Sequence, residues 1–279
     1  MNQTVEHILS WAVSQLKMFD TAKLDAEVLL AETVQQNRTW LKTWSDKALT
    51  PEQMRAFEEK VERRRNGEPV AYIVGRQDFW TLSLKVTPAT LIPRPETEHL
   101  VELALTKVAP QDSHRIVDLG TGTGAIALAV ASERPKARVW AMDLSADALV
   151  VAGYNRQKYK LDNVTCHQGH WLRDWQGEPF DLIMSNPPYI DQDDPHLQDL
   201  TFEPTSALVS AEQGLSDIKE ITQQATTHLT PLGWLMFEHG YEQGPKVRAI
   251  LQSHGFVHVE TLSDYSGHDR VTCGQKPEL

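Results

Sequence analysis

Cysteine is nearly absent: two residues, Cys166 and Cys273, stand in a chain of 279. That excludes a disulfide framework. Long apolar runs are missing as well. No stretch reaches the 18 residues that a membrane-spanning helix needs, and the first apolar stretch is interrupted by Glu6, His7 and Lys17, which fits neither a leader peptide nor a span. Positive charge is in short supply, with 27 Lys and Arg against 38 Asp and Glu and a formal charge of −11. A surface this acidic argues against broad polyanion binding, which relies on clustered Lys and Arg. Internal repeats and low-complexity segments are absent too. What remains is a chain with 41% hydrophobic residues, long enough for about two domains with a full core each. The expectation is a soluble cytoplasmic protein.

The charge is uneven. Residues 1–80 hold 11 basic and 12 acidic side chains, whereas residues 81–279 hold 16 and 26, so the front is nearly neutral and the rest carries −10. The front also holds the densest basic run, Arg63-Arg64-Arg65, which reads as a solvated helix end and is a candidate contact for an acidic partner.

The first 65 residues read as helices. Val5, Ile8, Leu9, Ala12 and Leu16 follow the 3.6-residue period, and Leu24, Val28, Leu29 and Ala31 repeat it. Thr50-Pro51-Glu52-Gln53 is a helix start, with a hydroxyl cap, proline in the first turn and Gln three residues on; Asn66-Gly67 closes that helix. From Phe79 the period becomes two, with Trp80, Leu82, Leu84 and Val86 alternating as in a hairpin strand. Pro88, Pro93 and Pro95 then forbid regular structure. Beyond them strand-like runs at 115–119, 138–142, 163–167, 180–185, 233–238, 256–260 and 270–273 alternate with helix-like stretches between the first five, among them 125–132 and 147–158. Such alternation predicts an α/β fold, a doubly wound sheet of seven strands with one of the last two antiparallel. The expected organisation is a helical domain at 1–75, a hairpin and linker at 76–100 and a catalytic domain at 101–279.

Ligands of doubly wound sheets lie beyond the carboxyl ends of the strands. The first strand runs into Gly120-Thr121-Gly122-Thr123-Gly124, where the backbone can approach a ligand with no side chain intervening. The second ends in Asp143, placed to accept two hydrogen bonds from a ribose diol. The glycine spacing fits a dinucleotide, and it also fits S-adenosylmethionine, whose sulfonium cation suits an acidic domain better than a pyrophosphate does. The fourth strand distinguishes them. It ends in Asn186-Pro187-Pro188-Tyr189, where two prolines hold the chain extended and remove two N–H donors. The Asn186 side-chain oxygen and the Pro187 carbonyl are left as acceptors, and Tyr189 offers a ring face. A planar NH2 group supplies the two matching donor hydrogens. Acceptors so placed orient its nitrogen toward an electrophilic methyl.

These loops resemble class I S-adenosylmethionine-dependent methyltransferases that act on planar NH2 groups. More specifically, the chain resembles the bacterial HemK/PrmC-type glutamine methyltransferases of peptide chain release factors over nearly its full length. The likeness extends to Glu68-Pro69-Val70-Ala71-Tyr72-Ile73 with Gly75, to Leu91-Ile92-Pro93-Arg94-Pro95-Glu96-Thr97-Glu98, and to Phe202-Glu203-Pro204 with Ala207-Leu208. The resemblance implies that Gly120, Thr121, Gly122, Thr123 and Gly124 line the methionine and ribose, with Asp143 on the ribose hydroxyls. Trp171 would pack near the adenine, and Asn186, Pro187, Pro188 and Tyr189 would grip the substrate amide, Asn186 also bordering the cofactor. The substrate so implied is the glutamine of the Gly-Gly-Gln loop in release factors, docked in part by the helical domain, with no nucleic acid or membrane required. His170 stands where the family has Asp, so the carboxylate contact to the adenine amino group does not carry over. A glutamine methyltransferase of a large-subunit ribosomal protein is the nearest alternative; it tends to carry Pro-Arg-Ser where this chain has Pro93-Arg94-Pro95-Glu96. An adenine-N6 methyltransferase would need a basic groove, and a nicotinamide oxidoreductase leaves the acceptor loop unexplained. Cys166, His167 and His170, or His254 and His258, do not make a metal sphere at standard spacing, so no metal is expected. Asp191, Asp193 and Asp194 read as a solvated loop.

Overall fold

A computed structural model describes residues 4–278, apart from the side chains at 196, 198 and 199. The chain divides into two compact units, Met1–Arg76 and Gln77–Leu279.

The first unit is helical: α1 (Val5–Gln15), α2 (Ala22–Val34), α3 (Arg38–Thr43), α4 (Pro51–Arg65) and the short α5 (Val70–Val74). Val5, Ile8, Ala12, Leu16, Leu29, Leu30, Phe57 and Val61 form its core. The Thr50 hydroxyl accepts from Gln53 N while the Gln53 side chain accepts from Thr50 N, so α4 begins with the reciprocal cap that its sequence announces. The arginine run that closes α4 is committed internally. Arg63 pairs with Glu68, Arg64 with buried Asp25 and Arg65 with Glu62.

A two-stranded ribbon follows, β1 (Arg76–Phe79) and β2 (Leu82–Lys85), whose first residue closes the first unit and whose remainder opens the second. Trp80 is not a strand residue: it sits in the turn with φ +57°, and its N–H donates to Glu98. Phe79, Leu82, Leu84 and Val86 are the buried positions. The connector then leads to α6 (Glu98–Lys107). Seven strands follow, β3 (Arg115–Leu119), β4 (Arg138–Asp143), β5 (Val164–Gln168), β6 (Phe180–Ser185), β7 (Leu229–Glu238), β8 (Val257–Ser263) and β9 (Asp269–Gln275). Their order is β5-β4-β3-β6-β7-β9-β8. Strands β3 to β7 pair in parallel, and β9 is antiparallel to both β7 and β8.

Successive strand residues serve opposite faces. Ile116, Leu182 and Met184 join the core under α6, α7 (Ala125–Glu133) and the ribbon. Val117, Leu119 and Ile183 join the core under α10 (Ser216–His228) and α11 (Gly244–Ser253). The remaining helices are α8 (Ala146–Lys158) and a short turn, α9 (Ala211–Gly214). The helix expected between β5 and β6 does not form. That segment carries Gly169, Gly177 and Pro179, and Trp171 adopts φ +51°. Conversely, α11 fills a stretch for which the sequence reading named no helix.

The chain leaves β3 toward β4 and β5 on one side, then returns to β6 on the other. The switch point between β3 and β6 is where a doubly wound sheet opens a crevice at its carboxyl edge.

Candidate active site

Two loops meet at that crevice, the glycine loop after β3 and the Asn-Pro-Pro-Tyr loop after β6. Ser185 fastens them together: its hydroxyl donates to the Leu119 carbonyl at 2.7 Å.

The glycine loop turns through three left-handed residues, Gly120 (φ +72°), Gly122 (φ +53°) and Gly124 (φ +84°), a conformation that side chains disfavour. Asp118, wholly buried in β3, holds the turn by accepting from the Thr121 hydroxyl at 2.6 Å and Ala127 N at 3.2 Å. Burial pushes the Asp118 carboxyl up to about 7. Thr121 therefore spends its hydroxyl inside the protein. The Thr123 carbonyl accepts from Asn155 Nδ2 at 2.9 Å, and the same Asn155 amide clasps β2 through Lys85 N and O.

Asp143, at the end of β4, accepts from Gly122 N at 2.8 Å through Oδ2 and from Ser145 N at 2.9 Å through Oδ1. Each oxygen retains a lone pair for a diol. Burial raises the Asp143 carboxyl, and the backbone donors oppose that rise. Trp171 closes the far side of the loop. A Cβ on Gly120 would stand 3.3 Å from its ring, while the buried Trp171 Nε1 has no hydrogen-bond partner. An unsatisfied buried donor beside a glycine turn, with a carboxylate held across it, suits a nucleoside-bearing ligand. His170 meets Trp171 edge-on with centroids 5.9 Å apart, and its Nδ1 lies 3.4 Å from Glu220.

On the second loop, Asn186 Nδ2 donates to the Thr97 hydroxyl at 3.4 Å, which leaves its Oδ1 as an acceptor. The Tyr189 hydroxyl is 3.5 Å from Glu238 Oε1, and burial raises the Tyr189 phenol well above its usual range. Gln243 Nε2 donates to the Tyr189 carbonyl at 3.0 Å. Gly214 lies so close that a Cβ there would fall 1.9 Å from that same carbonyl oxygen. The segment after the loop is tied back as well, since Ile190 N donates to the Leu208 carbonyl. Buried Glu203 accepts from Ile92 N at 2.9 Å and pairs with Arg94, joining the connector to the chain beyond the loop.

The sequence-predicted residues 120–124, 143 and 186–189 thus gather at one edge of the sheet, with Trp171 against Gly120. Sequence reasoning had no role for Asp118, Asn155, Gly214, Glu238 or Gln243. Thr97 and Glu203 were legible only as parts of the segments that carry the family likeness. Among the described residues no group of three or more His, Cys, Asp or Glu could hold a metal ion. Cys166 is half-buried against the core and Cys273 is buried.

Comparison with known proteins follows the same lines. The PrmC N-terminal domain family matches residues 7–75, and the methyltransferase small domain family matches residues 97–211. A release factor glutamine methyltransferase from Vibrio cholerae is 50% identical over 280 residues, covering 99% of this chain and 98% of that protein. Its counterpart from Escherichia coli K12 is 45% identical, covering 97% and 98%. Among solved structures, a methyltransferase from Pyrococcus furiosus superposes with a TM-score of 0.55 at 15% identity, over 79% of this chain and 99% of that one; this likeness concerns the fold.

Proposed function

We infer the reaction from one premise: the chain belongs to the release factor glutamine methyltransferase family. It is a methyltransferase, and its reaction places a methyl group on the side-chain nitrogen of a release-factor glutamine. The methyl donor we propose is S-adenosylmethionine, which supplies a methyl group made electrophilic by its sulfonium. Gly120 to Gly124 give that cofactor a backbone surface, Asp143 takes the ribose hydroxyls, and Trp171 lies beside the adenine. The net charge of −10 on residues 81–279 favours a cationic cofactor.

The chain's own residues then have a positioning task, because an amide nitrogen is a poor nucleophile. The Asn186 Oδ1 and the Pro187 carbonyl accept the two N–H bonds of the glutamine amide, and Tyr189 borders its plane. Acceptors on both hydrogens hold the nitrogen toward the methyl group and favour the positive charge that develops there. The observation that carries this reading is Asn186 itself. Its nitrogen is engaged by Thr97, so its oxygen is the atom left to receive a donor.

The substrate glutamine is taken to be that of the Gly-Gly-Gln loop, and the helical residues 1–75 to dock the release factor. Their near-neutral charge suits an acidic partner better than the −10 of the remainder. Such a substrate places the enzyme in the cytoplasm, and no helix among the described residues is long and apolar enough to cross a membrane. The test is transfer of labelled methyl from S-adenosylmethionine to a release factor with its Gly-Gly-Gln loop intact or with the glutamine replaced. Labelling of the intact protein alone is expected, and equal labelling of both overturns the assignment.

A further inference from the structure

Glu238 is the last residue of β7, and Phe237 before it stands opposite Ser185, so Glu238 comes level with the start of the Asn-Pro-Pro-Tyr loop. The residue is 1% exposed, yet among the described residues it forms no ion pair. Oε1 is approached by the Tyr189 hydroxyl at 3.5 Å, and Oε2 has no hydrogen bond of ordinary geometry. A carboxyl this poorly satisfied is costly to bury, and the apolar run Leu235-Met236-Phe237 before it shows that β7 has no packing need for one.

Its neighbours suggest what it does. Thr97 bonds Asn186, the residue that comes level with Glu238 across the β6–β7 pairing, and its hydroxyl favours the ionised form of the carboxyl. That same hydroxyl oxygen accepts from Asn186 Nδ2. A hydroxyl has one proton to give. When Glu238 is ionised, Thr97 gives its proton to the carboxylate and offers a lone pair to Asn186, which fixes the amide with nitrogen inward and oxygen toward the substrate. When Glu238 is protonated, the Thr97 proton is free to turn to Asn186. The amide can then present its NH2 to the substrate, where two donors would oppose two donors.

We propose that Glu238 is a positioning residue which, through Thr97, sets the orientation of the Asn186 amide, so that methyl transfer requires its ionised form. The proposal rests on the reading of Asn186 as the amide acceptor. No proton or electron crosses between substrate and Glu238 in it.

The charged surroundings make the carboxyl responsive near neutrality. Burial raises it to about 7, with Glu96 adding to the rise, while the Thr97 and Tyr189 hydroxyls and the Arg270 guanidinium oppose it. Arg94 reaches toward the same pocket but is paired with Glu203. The adjacent His239 ring bonds the Gly240 carbonyl and the Thr272 hydroxyl, and burial lowers its proton affinity.

The experiment is single-turnover methyl transfer to a release factor between pH 5.5 and 9, with S-adenosylmethionine affinity measured by calorimetry at each pH, for wild type, Glu238→Gln, Thr97→Val and Thr97→Ser. Wild type should lose rate on the acid side with a midpoint near 7 while cofactor affinity stays level. Glu238→Gln should be slower by tenfold or more at pH 8 and lack that limb, Thr97→Val should behave alike, and Thr97→Ser should keep both rate and limb. If Glu238→Gln does not fold, the two Thr97 variants decide the matter. Glu238→Gln or Thr97→Val variants that keep the wild-type limb, or that lose cofactor affinity in proportion to rate, overturn the proposal, as does a Thr97→Ser variant that loses the limb. A wild type that leaves the release-factor glutamine unmethylated at every pH overturns instead the reading beneath it.

Discussion

Gly214→Ala should cripple methyl transfer although Gly214 lies 25 residues beyond Tyr189 in the chain and carries no reactive group. Gly214 has φ +77°, and a Cβ built on it stands 1.9 Å from the Tyr189 carbonyl oxygen and 2.5 Å from the carbonyl carbon. Real contacts of this kind stop near 3 Å, so backbone must move by about 1 Å. The Tyr189 carbonyl is also held by Gln243 Nε2 at 3.0 Å, which bonds the Gln213 carbonyl as well, so displacement breaks a clamp as well as relieving a clash. A shift of about 1 Å in a positioning element costs on the order of a hundredfold in rate, equivalent to about 2.7 kcal/mol. The left-handed backbone adds a stability cost of about 1 kcal/mol. The assay is single-turnover transfer at saturating cofactor, with cofactor affinity from calorimetry and folding from near-ultraviolet circular dichroism. A folded variant with turnover within about threefold of wild type would refute the reasoning, because the loop would then be positioned by something other than this packing.

Three further outcomes follow from the same contacts. Asp143→Ala removes the acceptor for Gly122 N and Ser145 N and, on the proposed reading, for a ribose diol, so cofactor dissociation constants should rise about tenfold to a hundredfold by calorimetry. Glu203→Ala strands Ile92 N–H and releases Arg94, and should lower stability by about 2 kcal/mol, seen as a melting temperature lower by about 4–8 °C. Glu238 binds its proton more tightly in the folded state, at about 7 against an ordinary 4.5, so its favourable contribution is full below 4.5 and is lost as pH rises through 7. Denaturant unfolding should accordingly show Glu238→Gln gaining on wild type between pH 5 and 8, by up to about 3 kcal/mol; a constant difference across that range would contradict the raised proton affinity.

What the sequence made legible is what is local. The glycine turn, Asp143 and the Asn-Pro-Pro-Tyr loop each follow directly from the end of a strand, and strand ends are where residue type and ligand geometry coincide. The reciprocal cap of α4 is likewise contained within four consecutive residues. The supports of the site were not legible, because each joins distant stretches: Thr97 and Asn186 are separated by 89 positions, Tyr189 and Glu238 by 49. Gly214 looks like an ordinary loop glycine until the Tyr189 carbonyl is seen where its side chain would be. The segment between β5 and β6 misled for the opposite reason. Alternation favours a helix there, but Gly169, Gly177 and Pro179 disfavour one, and the left-handed Trp171 turns its ring over Gly120 instead.

The account depends most on the claim that the Asn186 oxygen receives the substrate amide and does little for the cofactor. Asn186→Ala tests it by single-turnover transfer to a release factor alongside calorimetric binding of S-adenosylmethionine. Transfer should be lost, by at least a hundredfold, while cofactor affinity stays within a few-fold of wild type. Parallel loss of both, or transfer that persists with the methyl still found on the glutamine nitrogen, would contradict it.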